Sequence, residues 1–292
     1  MPFTEYIPSD ALADYIDAYW VRKTDHSVKA AGRRVYADGC TDIIANTGNS
    51  GAHFNSTARL DQSLPLYPGH MYLGGTMTAY GVVSTEAGCT LAGIRFRPGG
   101  FFALYGIPVR EAVDRIIEFP DRELFVLLEK EEGLPSRLDA HFLAKVHFLS
   151  KTPSLRKKAL VGQDFTSIYK SVYRCKGQVS VEGLSRNFHL GNRTMERIFK
   201  ENVGIPPKEF IKIVRFQEVL RRLRQMRSPD VFNGELPDGA VGISEESLLR
   251  IAFELGYYDH AHLTNEFKRY AGIRPSELSR FYKTGIANQQ YF

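Results

Sequence analysis

The stretch Phe199-Lys200-Glu201-Asn202-Val203-Gly204-Ile205-Pro206-Pro207 recurs 68 residues later as Phe267-Lys268-Arg269-Tyr270-Ala271-Gly272-Ile273-Arg274-Pro275. Both copies fit the pattern F-K-x-x-x-G-I-x-P. Such a pattern is typical of a helix end, because glycine takes the left-handed position past the C-terminus and proline opens the next helix. Two copies therefore predict two copies of one helical unit.

Upstream of the first copy, the sequence predicts two helices joined by a tight turn. A short helix over 181–188 precedes a turn at 189–191 and a second helix over 192–203. This is a helix-turn-helix layout, whose second helix enters the major groove of DNA in proteins that use it.

The second copy ends a matching unit. A helix over 248–255 leads through a turn at 256–258 into a helix over 259–271, with Asp259 as its N-cap. The repeat makes an ordinary helical hairpin a poor explanation for both units.

A helical wheel divides the second helix of each unit into an apolar back and a polar face. In the first unit the polar face holds Arg193, Glu196, Arg197 and Lys200, opposite Met195, Ile198 and Phe199. In the second unit it holds Ala261, His262, Asn265, Lys268 and Arg269, opposite Leu263, Phe267 and Tyr270. Arginine and asparagine side chains donate to the edges of guanine and adenine, so both faces predict contact with double-stranded DNA.

Charge is unevenly spread along the chain. Residues 1–167 carry 18 lysines and arginines against 19 aspartates and glutamates, whereas residues 168–292 carry 20 against 14. A basic second half favours a polyanion as its partner. The widely spaced Cys40, Cys89 and Cys175 predict reduced thiols rather than disulfides.

The second half of the sequence resembles a known protein family. Residues 165–282 resemble the DNA-binding domain of AraC/XylS-type bacterial transcription regulators, most specifically in Ile251-Ala252-Phe253-Glu254-Leu255-Gly256-Tyr257 and, further on, in His262-Leu263, Glu266-Phe267-Lys268-Arg269 and Gly272-Ile273-Arg274-Pro275-Ser276-Glu277. The resemblance implies seven helices, with a long helix over 207–226 joining the two units. It places base-reading positions on Arg193, Glu196 and Arg197 in the first unit and on His260, Ala261, His262 and Asn265 in the second.

The chain departs from this family at three places. His189 stands where the family usually has glycine, and Gly191 stands where a capping serine is common, so Asn192 is expected to take over the cap. The glycine- and proline-rich residues 227–246 predict a loop inserted between the two units.

Residues 33–100 have a different pattern, of short β-branched and aromatic runs separated by turn signals. Strands are predicted at 34–36, 41–44, 70–73, 81–83 and 91–96, and helical spacing appears at 9–20, 101–105, 121–131 and 135–149.

The first part of the sequence resembles the sensor-like N-terminal domains of some AraC-type regulators at Trp20 and in the segments 38–44 and 93–100. That resemblance implies a cupin-like β-fold and allows a small-molecule effector. Ligand sites are usually apolar and concave, so the aromatic residues of this region either line a pocket for the effector or simply form the core: Tyr36, Phe54, Tyr67, Tyr72, Tyr80 and Phe96.

Catalytic chemistry has little support in the sequence. His53 and His70 are isolated, and His260 and His262 point apart on a helix, so no metal site is predicted. Phosphate-binding and nucleophile motifs are absent from the sequence. We therefore expect no catalytic residue and no cofactor. A cupin-type enzyme fused to a DNA-binding domain remains the alternative, and non-specific DNA packaging is a weaker one.

The prediction is an α+β transcription regulator. Residues 1–120 form a mainly β sensor-like domain, 121–162 a helical connector and 163–285 an all-α DNA-binding domain with helix-turn-helix units at 181–203 and 248–271. The two recognition helices are expected to enter major-groove segments about 34 Å apart. We also expect a cytoplasmic location and control by an effector or by homodimerisation. No membrane association is expected, because no apolar run approaches the roughly 20 residues that cross a bilayer.

Overall fold

Antiparallel strands form the first part of the chain. The computed structural model describes residues 3–25, 32–59, 63–151, 165–226 and 245–278. The strands are β1 (Phe3–Tyr6), β2 (Ile16–Lys23), β3 (Arg33–Val35), β4 (Thr41–Asn46), β5 (Ala52–Ser56), β6 (Ser63–Leu66), β7 (Met71–Gly74), β8 (Gly81–Thr85), β9 (Thr90–Phe96) and β10 (Ile116–Glu118). One sheet has the order β1-β2-β9-β4-β7-β10, and a second has the order β3-β8-β5-β6.

The larger sheet is centred on β9, which pairs with β2 and β4. Ile43 of β4 lies opposite Ile94 of β9, and both are fully buried. Gly93 is required beside them, because a Cβ at this position would lie 2.3 Å from the indole ring of Trp20. Strands β2 and β9 contain buried residues on both faces, and Ile43 and Ile94 belong to the hydrophobic core on one of these faces.

Three helices cover this core. They are α1 (Gly100–Tyr105), α2 (Arg122–Leu128) and α3 (Leu134–Lys151). The carboxylate of Asp121 accepts a hydrogen bond from the amide of Leu124 at 3.0 Å and so caps α2. Leu138 and Phe142 on the buried side of α3 pack into the same cluster as the strands. We call the described residues up to 151 the front part.

The predicted helix over 9–20 is wrong. Asp10–Leu12 form only a short 3-10 turn, and Ile16–Lys23 form strand β2. Apolar residues at helical spacing in this segment also fit an extended strand, since both faces of β2 contain buried residues. Pairing with β1 and β9 decides between the two periods. The other predicted strands are confirmed, with small differences at their ends.

Helices make up the second part of the chain. They are α4 (165–174), α5 (Val181–Asn187), α6 (Asn192–Asn202), α7 (Pro207–Gln225), α8 (Glu245–Glu254) and α9 (His260–Ala271), followed by a 3-10 turn at Pro275–Glu277. We call residues 165–226 and 245–278 the helical part. The predicted α+β class, with a cupin-like β part and an all-α part carrying two helix-turn-helix units, is confirmed. Most of the 227–246 insertion and any helix beyond 278 lie outside the described residues.

Most of the helix-end features that the repeats predict are present in the structure. Gly204 and Gly272 have φ values of +76° and +71° just beyond α6 and α9, as the repeated motif requires. Asp259 caps α9 by accepting a hydrogen bond from the amide of His262 at 2.7 Å. The expected cap at Asn192 is wrong, because Gly191 occupies the N-cap position of α6 and supplies no side chain. His189 has a φ of +52°, the conformation that the family's glycine adopts without strain.

The two parts share one of the two hydrophobic clusters. The loop that follows β3 packs on α7, where the ring of Tyr36 meets that of Phe216 edge to face at 6.4 Å. A Cβ at Gly39 would lie 2.8 Å from the ring of Phe210, so glycine allows this close approach. Front and helical residues accordingly belong to a single buried cluster.

Candidate nucleic-acid interface

Helix α6 presents a charged face to solvent. Arg193, Arg197 and Lys200 are exposed and Glu196 is half-buried, as the helical wheel predicted. The Nη1 atom of Arg197 lies 3.3 Å from Glu201 Oε1, and the Nζ atom of Lys200 lies 3.9 Å from Glu196 Oε2. Exposed pairs of this kind contribute little to stability, so both cationic groups are free to turn toward another anion.

The back of α6 fixes its position. Met195, Ile198 and Phe199 are buried, and the ring of Phe199 packs 5.4 Å from that of Phe210 on α7 and 5.1 Å from that of Phe165 on α4. The helix is thus held by aromatic contacts on two neighbours, which leaves its charged face in one defined direction.

Helix α9 has a matching arrangement. Ala261, His262, Asn265, Lys268 and Arg269 are exposed, while His260 is half-buried at the first turn. Leu263, Phe267 and Tyr270 are buried, and the ring of Phe267 packs 5.2 Å from that of Phe216 on α7. The structure therefore places all the predicted residues of the second unit on one helix, with only His260 near the packed edge.

A buried carboxylate that the sequence did not single out anchors α9. Glu266 accepts a hydrogen bond from the hydroxyl of Tyr257 at 2.8 Å and lies 3.4 Å from the guanidinium of Arg215 on α7. Burial, followed by the charge of Glu266, raises the pKa of Tyr257, so the tyrosine stays a neutral donor. The available signal was an acidic residue placed next to Phe267 on the apolar side of the wheel.

Two of the predicted α9 residues have partners within the protein. Arg269 forms an ion pair with Glu209 of α7 at 2.7 Å, and the hydroxyl of Tyr270 donates to the same carboxylate at 2.9 Å. His262 packs edge to face on Tyr257 at 5.3 Å. Asn265 and Lys268 are exposed beside them, so these two are the side chains of α9 best placed to reach out.

A cavity of about 680 Å³ lies between the front and helical parts. Its front wall includes Asp17 and Arg97, whose side chains form an ion pair at 2.9 Å, and its helical wall includes Tyr169, Lys170 and Arg174. Lys170 pairs with Asp14 across the cavity. Tyr169 is 3% exposed, and its hydroxyl has no hydrogen-bond partner among the described residues.

The aromatic residues expected to line a pocket in the front part have another role. Tyr36, Phe54, Tyr72 and Phe96 are buried side chains of the hydrophobic clusters, Tyr80 is half-buried against one of them, and Tyr67 is exposed. The buried rings fill space between the sheets and helices, so the cavity between the two parts is the better candidate for a ligand.

A metal-binding cluster or an activated thiol would favour an enzyme. Among the described residues, no cluster of three histidine, cysteine or acidic side chains is placed to hold a metal ion. Cys40 and Cys89 are buried, and burial raises the pKa of the Cys89 thiol to about 11. Within the described part of the chain, no helix combines the length and the apolar character needed to span a membrane.

Comparison with known proteins finds a matching family model, curated relatives and similar solved structures. Residues 4–118 match the family described as a domain of unknown function, DUF6597. An uncharacterized HTH-type transcriptional regulator of Haemophilus influenzae is 29% identical over 100 residues, which cover 34% of this chain and 28% of the relative. The HTH-type transcriptional activator RhaS of Pectobacterium atrosepticum is 27% identical over 101 residues, which cover 35% of this chain and 30% of the relative.

The matched segments span less than a third of the length of these curated relatives. Among solved structures, fatty-acid-bound ToxT from Vibrio cholerae aligns with a TM-score of 0.48 at 14% identity, covering 93% of this chain and 97% of that one. The AraC-like transcriptional activator CuxR aligns with a TM-score of 0.34 at 11% identity, covering 77% and 80%. The curated relatives are transcription regulators of the helix-turn-helix type, and the resemblance of this chain to AraC-type regulators is confirmed.

Proposed function

We propose that the protein is a sequence-specific DNA-binding transcription regulator that inserts α6 and α9 into successive major-groove segments of one duplex. The arrangement of the two helices carries the proposal. Each is the second helix of a helix-turn-helix unit, is anchored by aromatic residues on α7, and presents exposed arginine, asparagine or lysine side chains. Side chains of these types read base edges and bind phosphates.

In this proposal residues 163–285 are the DNA-binding domain, residues 1–120 a sensor-like domain and residues 121–162 a connector. Arg193, Glu196 and Arg197 read bases in the first unit, and His260, Ala261, His262 and Asn265 read bases in the second. Lys200, Lys268 and Arg269 face the phosphate backbone. The protein acts on chromosomal DNA in the cytoplasm.

Selection of bound duplexes from a random pool, followed by a salt titration of the selected duplex, tests the DNA function. Lysine and arginine contacts displace condensed counterions, so affinity is expected to fall steeply between about 50 and 200 mM salt. Recovery of no preferred sequence would support general DNA packaging instead, and an affinity that does not change with salt would contradict a DNA role.

We further propose that a small organic anion controls the protein from the cavity between its two parts. The cavity volume of about 680 Å³ lies within the range of small-molecule sites. Arg174 is exposed at its rim and has no acidic partner among the described residues, whereas Arg97 and Lys170 are paired with aspartates. A carboxylate with an apolar body would pair with Arg174 and receive the hydroxyl hydrogen of Tyr169.

Thermal unfolding with a panel of aliphatic and aromatic monocarboxylates tests this effector site. At least one acid is expected to raise the melting temperature of the parent and of Arg122→Ala, since Arg122 lies on α2 outside the cavity, but not that of Arg174→Ala. If no acid shifts the parent, or if Arg174→Ala responds like the parent, the cavity is not the effector site. The front part would then be better explained as a dimerisation unit.

A further inference from the structure

A second cleft lies directly in front of the charged face of α6. Its volume is about 580 Å³. One wall is α6 itself, with Arg193, Thr194, Glu196, Arg197, Lys200 and Glu201. The other wall belongs to the front part of the chain and consists of Pro108 and Arg110. The front part therefore borders the surface assigned to DNA.

The backbone of Arg110 is fixed by the 3-10 turn that contains it and by the turn that follows α6. Its neighbours Val109 and Ala112 in the 3-10 turn Val109–Ala112 are buried, which fixes the backbone while the side chain of Arg110 stays exposed. A Cβ at Gly204 would lie 3.2 Å from Cα of Arg110 and 2.5 Å from a methyl carbon of Val113. Backbone meets backbone at this point, so the distance between Arg110 and the C-terminal end of α6 is set by close packing.

The charges of the cleft favour an anion. Four basic side chains line it against two carboxylates, and both carboxylates already pair with basic residues one turn away on α6. Neither Arg110 nor Arg193 has an ion-pair partner among the described residues. Positive groups gathered in a concave surface reinforce each other's potential and attract a polyanion. If the front part blocked α6 by binding it in the way DNA would, its wall of the cleft should carry carboxylates. It carries Arg110 instead.

We propose that Arg110 binds a backbone phosphate of the duplex whose major groove receives α6. The front part then contributes directly to the DNA interface, although the predicted contacts all lie in the helical part. This inference rests on the proposed DNA function, and it adds a contact that carries no base preference.

A salt titration of Arg110→Ala on the duplex selected by the parent tests the proposal. One lost phosphate contact is expected to reduce the slope of log affinity against log salt by about one unit and to weaken binding several-fold at 50 mM salt, equally for all single-base variants of the site. Arg110→Lys keeps the charge and should retain the slope. Arg122→Ala removes an exposed arginine of α2 away from this cleft and is the matched control.

Phosphate ethylation interference locates the contact. Ethylation of one phosphate beside the base pairs read by α6 should block binding of the parent and of Arg122→Ala but have no effect on Arg110→Ala. An unchanged slope and an unchanged interference pattern in Arg110→Ala would overturn the proposal. Tighter binding by Arg110→Ala would also overturn it, because the front wall would then obstruct DNA. Failure of the DNA function itself is seen separately, in the parent's own titration.

Discussion

The side-chain amide of Gln217 on α7 donates a hydrogen bond to the backbone carbonyl of Ala37 in the loop after β3. Both residues are buried, so this bond lies inside the core that the front and helical parts share. Helix α7 also carries the aromatic contacts that hold α6 and α9. The β part is thus joined directly to the helix on which both DNA-facing helices rest.

Replacement of Gln217 by alanine is expected to lower the free energy of unfolding by about 1–3 kcal/mol, because the carbonyl of Ala37 would remain buried without its donor. Urea unfolding followed by circular dichroism measures the loss. Gln178→Ala serves as the control, since Gln178 is exposed on the surface of the helical part. Equal stability of the two variants would show that the bond does not hold the two parts together.

Arg197→Ala is expected to cost about 1–3 kcal/mol of binding free energy on the preferred duplex and to relax the choice at one or two base pairs. Among the described residues, the exposed guanidinium of Arg197 pairs with Glu201, and it can exchange that weak contact for a guanine edge. Binding to a library of single-base-substituted sites measures the effect. A variant that keeps the parent's base preference would remove Arg197 from the reading residues.

Lys200→Ala should behave differently from Arg197→Ala. Lys200 lies near the C-terminal end of α6, where a flexible ammonium meets phosphate rather than base edges. We expect binding to all sequences to weaken by a similar factor and the salt slope to fall by about one unit. The same site library provides the measurement, and a change confined to particular base pairs would contradict the assignment.

Asn265→Ala tests whether the second unit reads sequence. Asn265 is exposed on α9 and has the bidentate geometry that suits adenine. Base preference is expected to relax about one helical turn from the pairs affected by Arg197→Ala. If Asn265→Ala leaves the preference unchanged while Arg197→Ala alters it, only the first unit reads sequence.

Asp38 should give the stability a specific pH dependence. Burial raises its pKa to about 6 from an ordinary value of 3.8; Arg95 opposes the rise and the neighbouring Asp42 adds to it. The guanidinium of Arg95 is shared, since its Nε atom lies 3.4 Å from Asp42 and 4.0 Å from Asp38. Because the folded state holds this proton more tightly, the contribution to stability is complete below about pH 4 and is lost as pH rises through 6.

The loss of unfolding free energy from this group amounts to about 3 kcal/mol. Asp38→Asn keeps an oxygen that can accept the amide hydrogen bond of Cys40 and removes the titration. Urea unfolding between pH 4 and 7 should therefore show a smaller decline for Asp38→Asn than for the parent. Parallel curves for the two proteins would mean that Asp38 does not titrate in this range.

More of the helical part than of the front part could be predicted from the sequence. Glycine and proline at fixed places in a repeated motif, together with Asp259 as a cap, define helix ends locally. The segment Ile16–Lys23 has no such local signals, and its partners in β1 and β9 decide its structure. Strands β1, β5, β6 and β10 are likewise absent from the prediction, and each forms by pairing with a neighbouring strand.

The contacts between the two parts could not be predicted for a related reason. Gln217 and Ala37 are 180 positions apart, and Arg110 lies opposite α6 only because the chain folds back on itself. The polar faces of α6 and α9 were found because they depend on spacing within one helix. Glu266 was missed because its partners Arg215 and Tyr257 lie on other segments.

The shared core has a consequence for engineering hybrid regulators. A chimera that joined α7 to a foreign front part would uncover the sides of Phe210 and Phe216 that now rest against Gly39 and Tyr36. Exposed aromatic area of this kind promotes self-association. The helical part therefore cannot be exchanged by itself. A working hybrid would have to keep the loop at 36–40 together with the face of α7 that this loop covers.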